Sequence, residues 1–189
     1  MRHPRGLASL LATLSLALVL GSCADRPAST APETEPSASL LGTLAGVLAP
    51  VEVLERTRFL DEQVVSAVIG PEGGVLSLQD AGLELVIPTG ALRGEVRITI
   101  TSPAGDLVGY HFEPHGLELR KPARFHQNLN ETEAAADPDL LSRLTGAYFE
   151  GDLLPEVGPL ELLDVTLLGD VNVATLEIVH FSGYVIATN

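Results

Sequence analysis

His180, Phe181 and Ser182 set an imidazole two residues before a hydroxyl, the pair that acyl chemistry uses when a base takes the proton of an attacking oxygen. Such chemistry also needs donors for the oxyanion, and His180 is the one base that the local sequence supplies. The plainer reading is packing. In an extended strand Phe181 faces the side opposite His180 and Ser182, so it can simply belong to a core, with Gly183 free to mark a bulge where the faces swap. Packing is the favoured reading. A second cluster, His111-Phe112-Glu113-Pro114-His115, puts two imidazoles and a carboxylate within five residues, which are the ligand types of a zinc site. Pro114 prevents their arrangement on one helical face, and a third imidazole such as His126 must come from elsewhere, so no metal is assigned. Asp80, Asp106, Asp137, Asp139, Asp152, Asp164 and Asp170 are scattered rather than spaced as a calcium loop. The sequence holds no Gly-rich phosphate loop, nucleophile-elbow serine or basic stripe interleaved with aromatics. No cofactor, and no enzymatic activity on other molecules, is therefore expected.

The elements that must position these residues read as strands. Ile69 to Thr101 alternates apolar and polar residues between turn residues: Gly73-Gly74 precede Val75 and Leu76, and Ala81-Gly82 reverse the chain before Leu83, Leu85 and Ile87. After Pro88 and Thr89-Gly90, Val96, Ile98 and Ile100 point one way while Glu95, Arg97, Thr99 and Thr101 point the other. Further strands are expected at 64–69, 107–112, 117–119, 123–129, 147–149, 160–168, 171–179 and 184–188, with Gly169-Asp170 as a hairpin turn. Between 131 and 144 the pattern breaks. Asp137 suits an N-cap, Pro138 the first helical position, and Leu140, Leu141 and Leu144 a short apolar stripe, so a helical insertion is predicted there.

The glycines and prolines of this region also carry a resemblance. Gly73-Gly74, Gly82 with Leu83 and Leu85, Ile87-Pro88-x-Gly90-Ala91-Leu92, Ile98-Thr99-Ile100 and the C-terminal His180-Phe181-Ser182-x-Tyr184 resemble the ZU-5 domain, the β-sandwich shared by zonula occludens proteins, ankyrins and netrin receptors. The likeness brackets residues 64–189. It implies a β-sandwich. It also implies an alternative for the tripeptide, because in some relatives and in similar self-cleaving folds a His-Phe-Ser sequence cuts itself before the serine by an N-to-O acyl shift. Intramolecular autoproteolysis between Phe181 and Ser182 is accordingly the second functional expectation.

Arg2, His3 and Arg5 precede an apolar run from Leu7 to Leu20, and Leu20-Gly21-Ser22-Cys23 ends in the single cysteine of the chain. This looks like a bacterial lipoprotein signal, with Cys23 as the lipidated N-terminus of the mature protein. The apolar run is short for a permanent membrane helix. Ala24, rather than an aspartate, follows Cys23, so by resemblance to proteobacterial lipoproteins the outer membrane is the expected destination. Residues 24–39 are rich in Pro, Ser, Thr, Ala and Glu and have too few large apolar groups to offset ordering entropy, so they read as a disordered tether. Leu40, Leu41, Leu44, Val47 and Leu48 form a helical stripe that ends at Pro50.

At 189 residues and 46% apolar content the chain can bury one sizeable core. Its net charge is −14, and loss of Arg2 and Arg5 with the signal makes the balance two units more negative. Such a surface repels nucleic acid. The expected organisation is a lipoprotein signal peptide over 1–22, a disordered tether over 23–39, a short helical or linker segment over 40–60, and an all-β, ZU-5-like β-sandwich with a short helical insertion over 61–189. The expected function is an extracytoplasmic binding or structural module, held to a lipid membrane through Cys23 and engaging an envelope protein or ligand.

Overall fold

In the computed structural model the chain is described over residues 48–151, 158–169 and 172–189. The strands are β1 (Glu52–Val53), β2 (Glu55–Leu60), β3 (Gln63–Ile69), β4 (Gly74–Leu78), β5 (Leu83–Ile87), β6 (Val96–Ser102), β7 (Gly105–Leu107), β8 (Gly109–Glu113), β9 (Glu118–Asn128), β10 (Leu144–Phe149), β11 (Glu161–Leu163), β12 (Thr166–Leu168), β13 (Val173–His180) and β14 (Gly183–Thr188). They build an all-β sandwich. One sheet runs β11-β10-β14-β8-β6-β3 with β1 also on β14, the other runs β12-β13-β9-β5-β4, and β2 and β7 form a separate ribbon. The helical insertion is a 3-10 turn over Glu133–Ala136 followed by α1 (Pro138–Ser142). Asp137 caps α1: its Oδ1 accepts from the backbone N–H groups of Asp139 at 2.9 Å and Leu140 at 3.2 Å, with Pro138 following at the first helical position.

Alternation sets the faces of the two sheets. Leu83, Leu85 and Ile87 of β5 are buried while Glu84 is exposed, and Ile98 and Ile100 of β6 are fully buried while Arg97 is exposed. Inward residues of the two sheets meet in one core, where a buried side chain of this size contributes about 1.5–3 kcal/mol. At its centre Phe112 lies 6.1 Å from Phe125, 5.6 Å from Phe181 and 5.7 Å from Tyr184 between ring centroids. β14 is covered on both faces, because Tyr184 and Ile186 join this core while Val185 and Ala187 pack with Val53, Ala147 and Phe149. Gly82 permits the reversal before β5. Its φ is +75°, and a Cβ there would lie 2.7 Å from Gln127 Nε2.

Several segments differ from the sequence reading. The described part of 40–60 contains strands β1 and β2, with Leu54 and Leu60 in the core, so the domain begins before Asp61. The physical reason is pairing: β1 closes onto β14 and β2 onto β7, and these partners lie at least 45 residues away in sequence. The segments expected at 117–119 and 123–129 form the single strand β9. Pro122 fits within it because β5 pairs only with Arg124 to Gln127, and the ladder to β13 shifts register between Ile178 and His180. That shift leaves four residues of β9, between Glu118 and Ala123, opposite the single Val179 of β13. The segment 160–168 divides into β11 and β12, which belong to different sheets. The signal peptide, Cys23, the tether, most of the Leu40 to Leu48 stripe and Asp170 lie outside the described residues. Among the described residues no helix is long and apolar enough to cross a membrane.

Candidate functional site

His180, Phe181 and Ser182 form the corner at which the chain leaves β13 in one sheet and enters β14 in the other. Backbone bonds clamp this corner to the segment from Phe112 to Leu117. Phe181 N–H donates to Leu117 O at 3.0 Å, Gly116 N–H donates to Phe181 O at 2.9 Å, and Phe112 N–H donates to Ser182 O at 2.8 Å. Phe181 is fully buried against Phe112, which fulfils its expected core role.

The Ser182 hydroxyl is also buried and has two partners. Gly151 N–H donates to its Oγ at 3.2 Å, and His115 Nδ1 lies 3.2 Å from the same oxygen. With Nδ1 unprotonated, the hydroxyl donates to it. The turn that presents His115 includes a cis peptide between Glu113 and Pro114 and ends at Gly116, whose φ of +71° suits a glycine. His115 and Ser182 are 67 residues apart in sequence, so no local spacing could join them.

His180 faces elsewhere, so the imidazole beside the Ser182 hydroxyl is that of His115 and not that of His180. The His180 ring packs edge-on against Tyr148 at 4.4 Å, its Nδ1 lies 2.9 Å from the Tyr184 hydroxyl, and its Nε2 lies 3.8 Å from Glu161 Oε2. The Tyr184 hydroxyl also reaches His180 O at 2.7 Å. Burial pushes that phenol well above the ordinary tyrosine range, and Tyr148 and Glu161 add to the shift, so it acts as a neutral donor.

The remaining sequence candidates separate. His111 and Glu113 lie on β8, His115 turns to Ser182, and His126 lies on β9 in the other sheet, with its Nδ1 2.8 Å from Thr175 Oγ1. No group of three His, Cys, Asp or Glu side chains suited to a metal ion occurs among the described residues. Chemically, the corner offers a hydroxyl, an imidazole beside it and an N–H on the carbonyl of the preceding residue. No family model and no curated protein matches the chain.

Proposed function

We propose that the chain is a lipid-anchored β-sandwich module of a bacterial cell envelope, resembling the ZU-5 domain, which binds or braces an envelope partner and does no chemistry on other molecules. The observation that carries this reading is the full burial of Phe181 in the aromatic core, with both of its backbone polar groups paired to the 116–117 turn. His-Phe-Ser then serves as the corner that joins two sheets, a structural role that requires no cleavage. The anchor rests on the positive, apolar and small-residue order that ends at Cys23. Acyl chains on Cys23 contribute about 0.8 kcal/mol per buried methylene. Membrane fractionation tests this part: Cys23→Ala should release the protein, and full retention of that variant on membranes would place the anchor elsewhere.

One observation favours a second reading, self-cleavage between Phe181 and Ser182: the same corner holds a nucleophile, a base and an oxyanion donor. In this reading His115 Nδ1 takes the Ser182 proton and Oγ bonds to the Phe181 carbonyl carbon. The negative charge then develops on Phe181 O, facing Gly116 N–H. The C–N bond breaks as the Ser182 nitrogen takes the proton, and water hydrolyses the resulting ester to a Phe181 carboxylate and a free Ser182 amine. Denaturing electrophoresis separates the readings, because cleavage removes residues 182–189 and packing removes nothing.

A further inference from the structure

The sheet that contains β10, β11 and β14 carries a second, smaller core on its outer face. Val53, Ala147, Phe149, Val185 and Ala187 are buried there, and Val51 packs against them. Toward the edge strand β11 the cover runs out. Leu162 sits directly across from Ala147 in the ladder of β10 to β11 and so shares its face, yet it is 39% exposed. Leu160 is also 39% exposed, and Leu48, whose N–H donates to Pro159 O at 3.0 Å, is 43% exposed. Three large apolar residues thus gather at the open side of one small core.

The incoming chain is held at this spot. A Cβ on Gly158 would run into Leu48 O, and the φ of Gly158 is +82°, so glycine is what lets the two backbones approach. Residues 41–47, which lie outside the described residues, are joined to Leu48 and therefore start from the patch. Leu41 and Leu44 precede Leu48 at the i, i+3, i+7 spacing of one helical face. Seven residues reach about 10 Å as a helix and about 24 Å when extended, so either form stays within reach of β11.

Charge decides between the possible occupants. Residues 27–55 and 144–189 contain no Lys or Arg, so neither the segment nor the strands of the patch offer a cation to lipid headgroups. A second copy would bring its own Glu150 and Glu161 toward the same acids. Residues 40–50 are uncharged, and covalent attachment holds them at an effective concentration on the order of millimolar. We propose that residues 41–47 fold back onto the sheet and complete its second core, with Leu41 and Leu44 covering Leu160 and Leu162. This docking depends neither on the fate of the bond before Ser182 nor on acylation of Cys23.

The test is hydrogen–deuterium exchange of the full chain, read by mass spectrometry without lipid and then with phosphatidylcholine vesicles, at low and at high protein concentration. Without lipid and at both concentrations, the amides of 41–47 should exchange about tenfold or more slowly than those of 24–39. Leu44→Asp should abolish that protection and speed exchange across Glu161–Leu163, whereas Thr43→Asp, which places the same charge off the stripe, should do neither. Both positions precede β1, so exchange in the other strands serves as the internal control. Protection that appears only with vesicles, or that grows with protein concentration, would give the patch to lipid or to a second copy and overturn the assignment. Unprotected amides over 41–47, an unchanged β11 in Leu44→Asp, or equal effects of the two substitutions would overturn it as well.

Discussion

Replacing Phe181 with alanine removes a phenyl ring that is fully buried and packed 5.6 Å from Phe112 at the junction of the two sheets. Such truncations typically cost about 3–5 kcal/mol, since the cavity left behind adds to the lost transfer energy. Against a usual domain stability of about 5–15 kcal/mol this is a large fraction. For a sandwich of this size it corresponds to a fall in melting temperature of about 10–20 °C. Ser182→Ala is the matched control on the neighbouring residue. It removes the contacts with Gly151 and His115, but Gly151 is only partly buried and water can reach it, so the cost should be about 1 kcal/mol. Thermal unfolding followed by circular dichroism compares the two directly. If Phe181→Ala melted no lower than Ser182→Ala, the corner would not be held by packing and the structural reading of the tripeptide would fail.

Further outcomes follow from the same contacts. Ile98→Asp should unfold the domain by burying an unpaired carboxylate, whereas Thr99→Asp, on the outer face beside Ser66, should cost about 1 kcal/mol; equal urea midpoints would refute the assigned faces. Burial pushes the Tyr110 hydroxyl up to about 12, while the unfolded chain releases that proton near the ordinary value of about 10. The share of stability linked to Tyr110 is therefore retained below about pH 10 and is lost as pH rises toward 12, by about 3 kcal/mol, while Tyr184 adds a loss of the same sign, so Tyr110→Phe should reduce the slope in urea titrations without abolishing it. An unchanged slope would contradict the shift. A chain starting at Asp61 lacks Leu54, Arg56 and Leu60 and should lose cooperative melting, whereas one starting at Leu48 should keep it; cooperative melting of both would show that β1 and β2 are dispensable.

The parts of the fold legible in the sequence are those where one face is buried and turn residues bound the strand. β5 and β6 are of this kind, as is the Asp137-Pro138 start of α1. β2 hid from periodicity because its pairing with β7 is irregular and Arg56, a charged residue, turns inward. In β14 alternation does separate Tyr184 and Ile186 from Val185 and Ala187, but both faces are apolar, so the pattern does not say which of them meets the main core. The leucine-rich segment 160–168, with no glycine or proline to mark a break, does not reveal that the chain changes sheets near Asp164 and Val165. In the candidate site, Phe181 and Ser182 were identifiable as a pair, but the partner imidazole was not. The pairing of Ser182 with His115 arises from the closure of β8 onto β14, a long-range event with no local signature.

Intact-mass spectrometry of the purified wild-type chain, under denaturing conditions and after prolonged incubation, reports whether the Phe181 corner is structural or reactive. Denaturation matters because residues 182–189 would remain held by the ladders of β14 to β10 and β8 even after a cut. A structural corner predicts one species that runs through to Asn189 at every time point. A species ending at Phe181, absent in Ser182→Ala and reduced in His115→Ala, would contradict it.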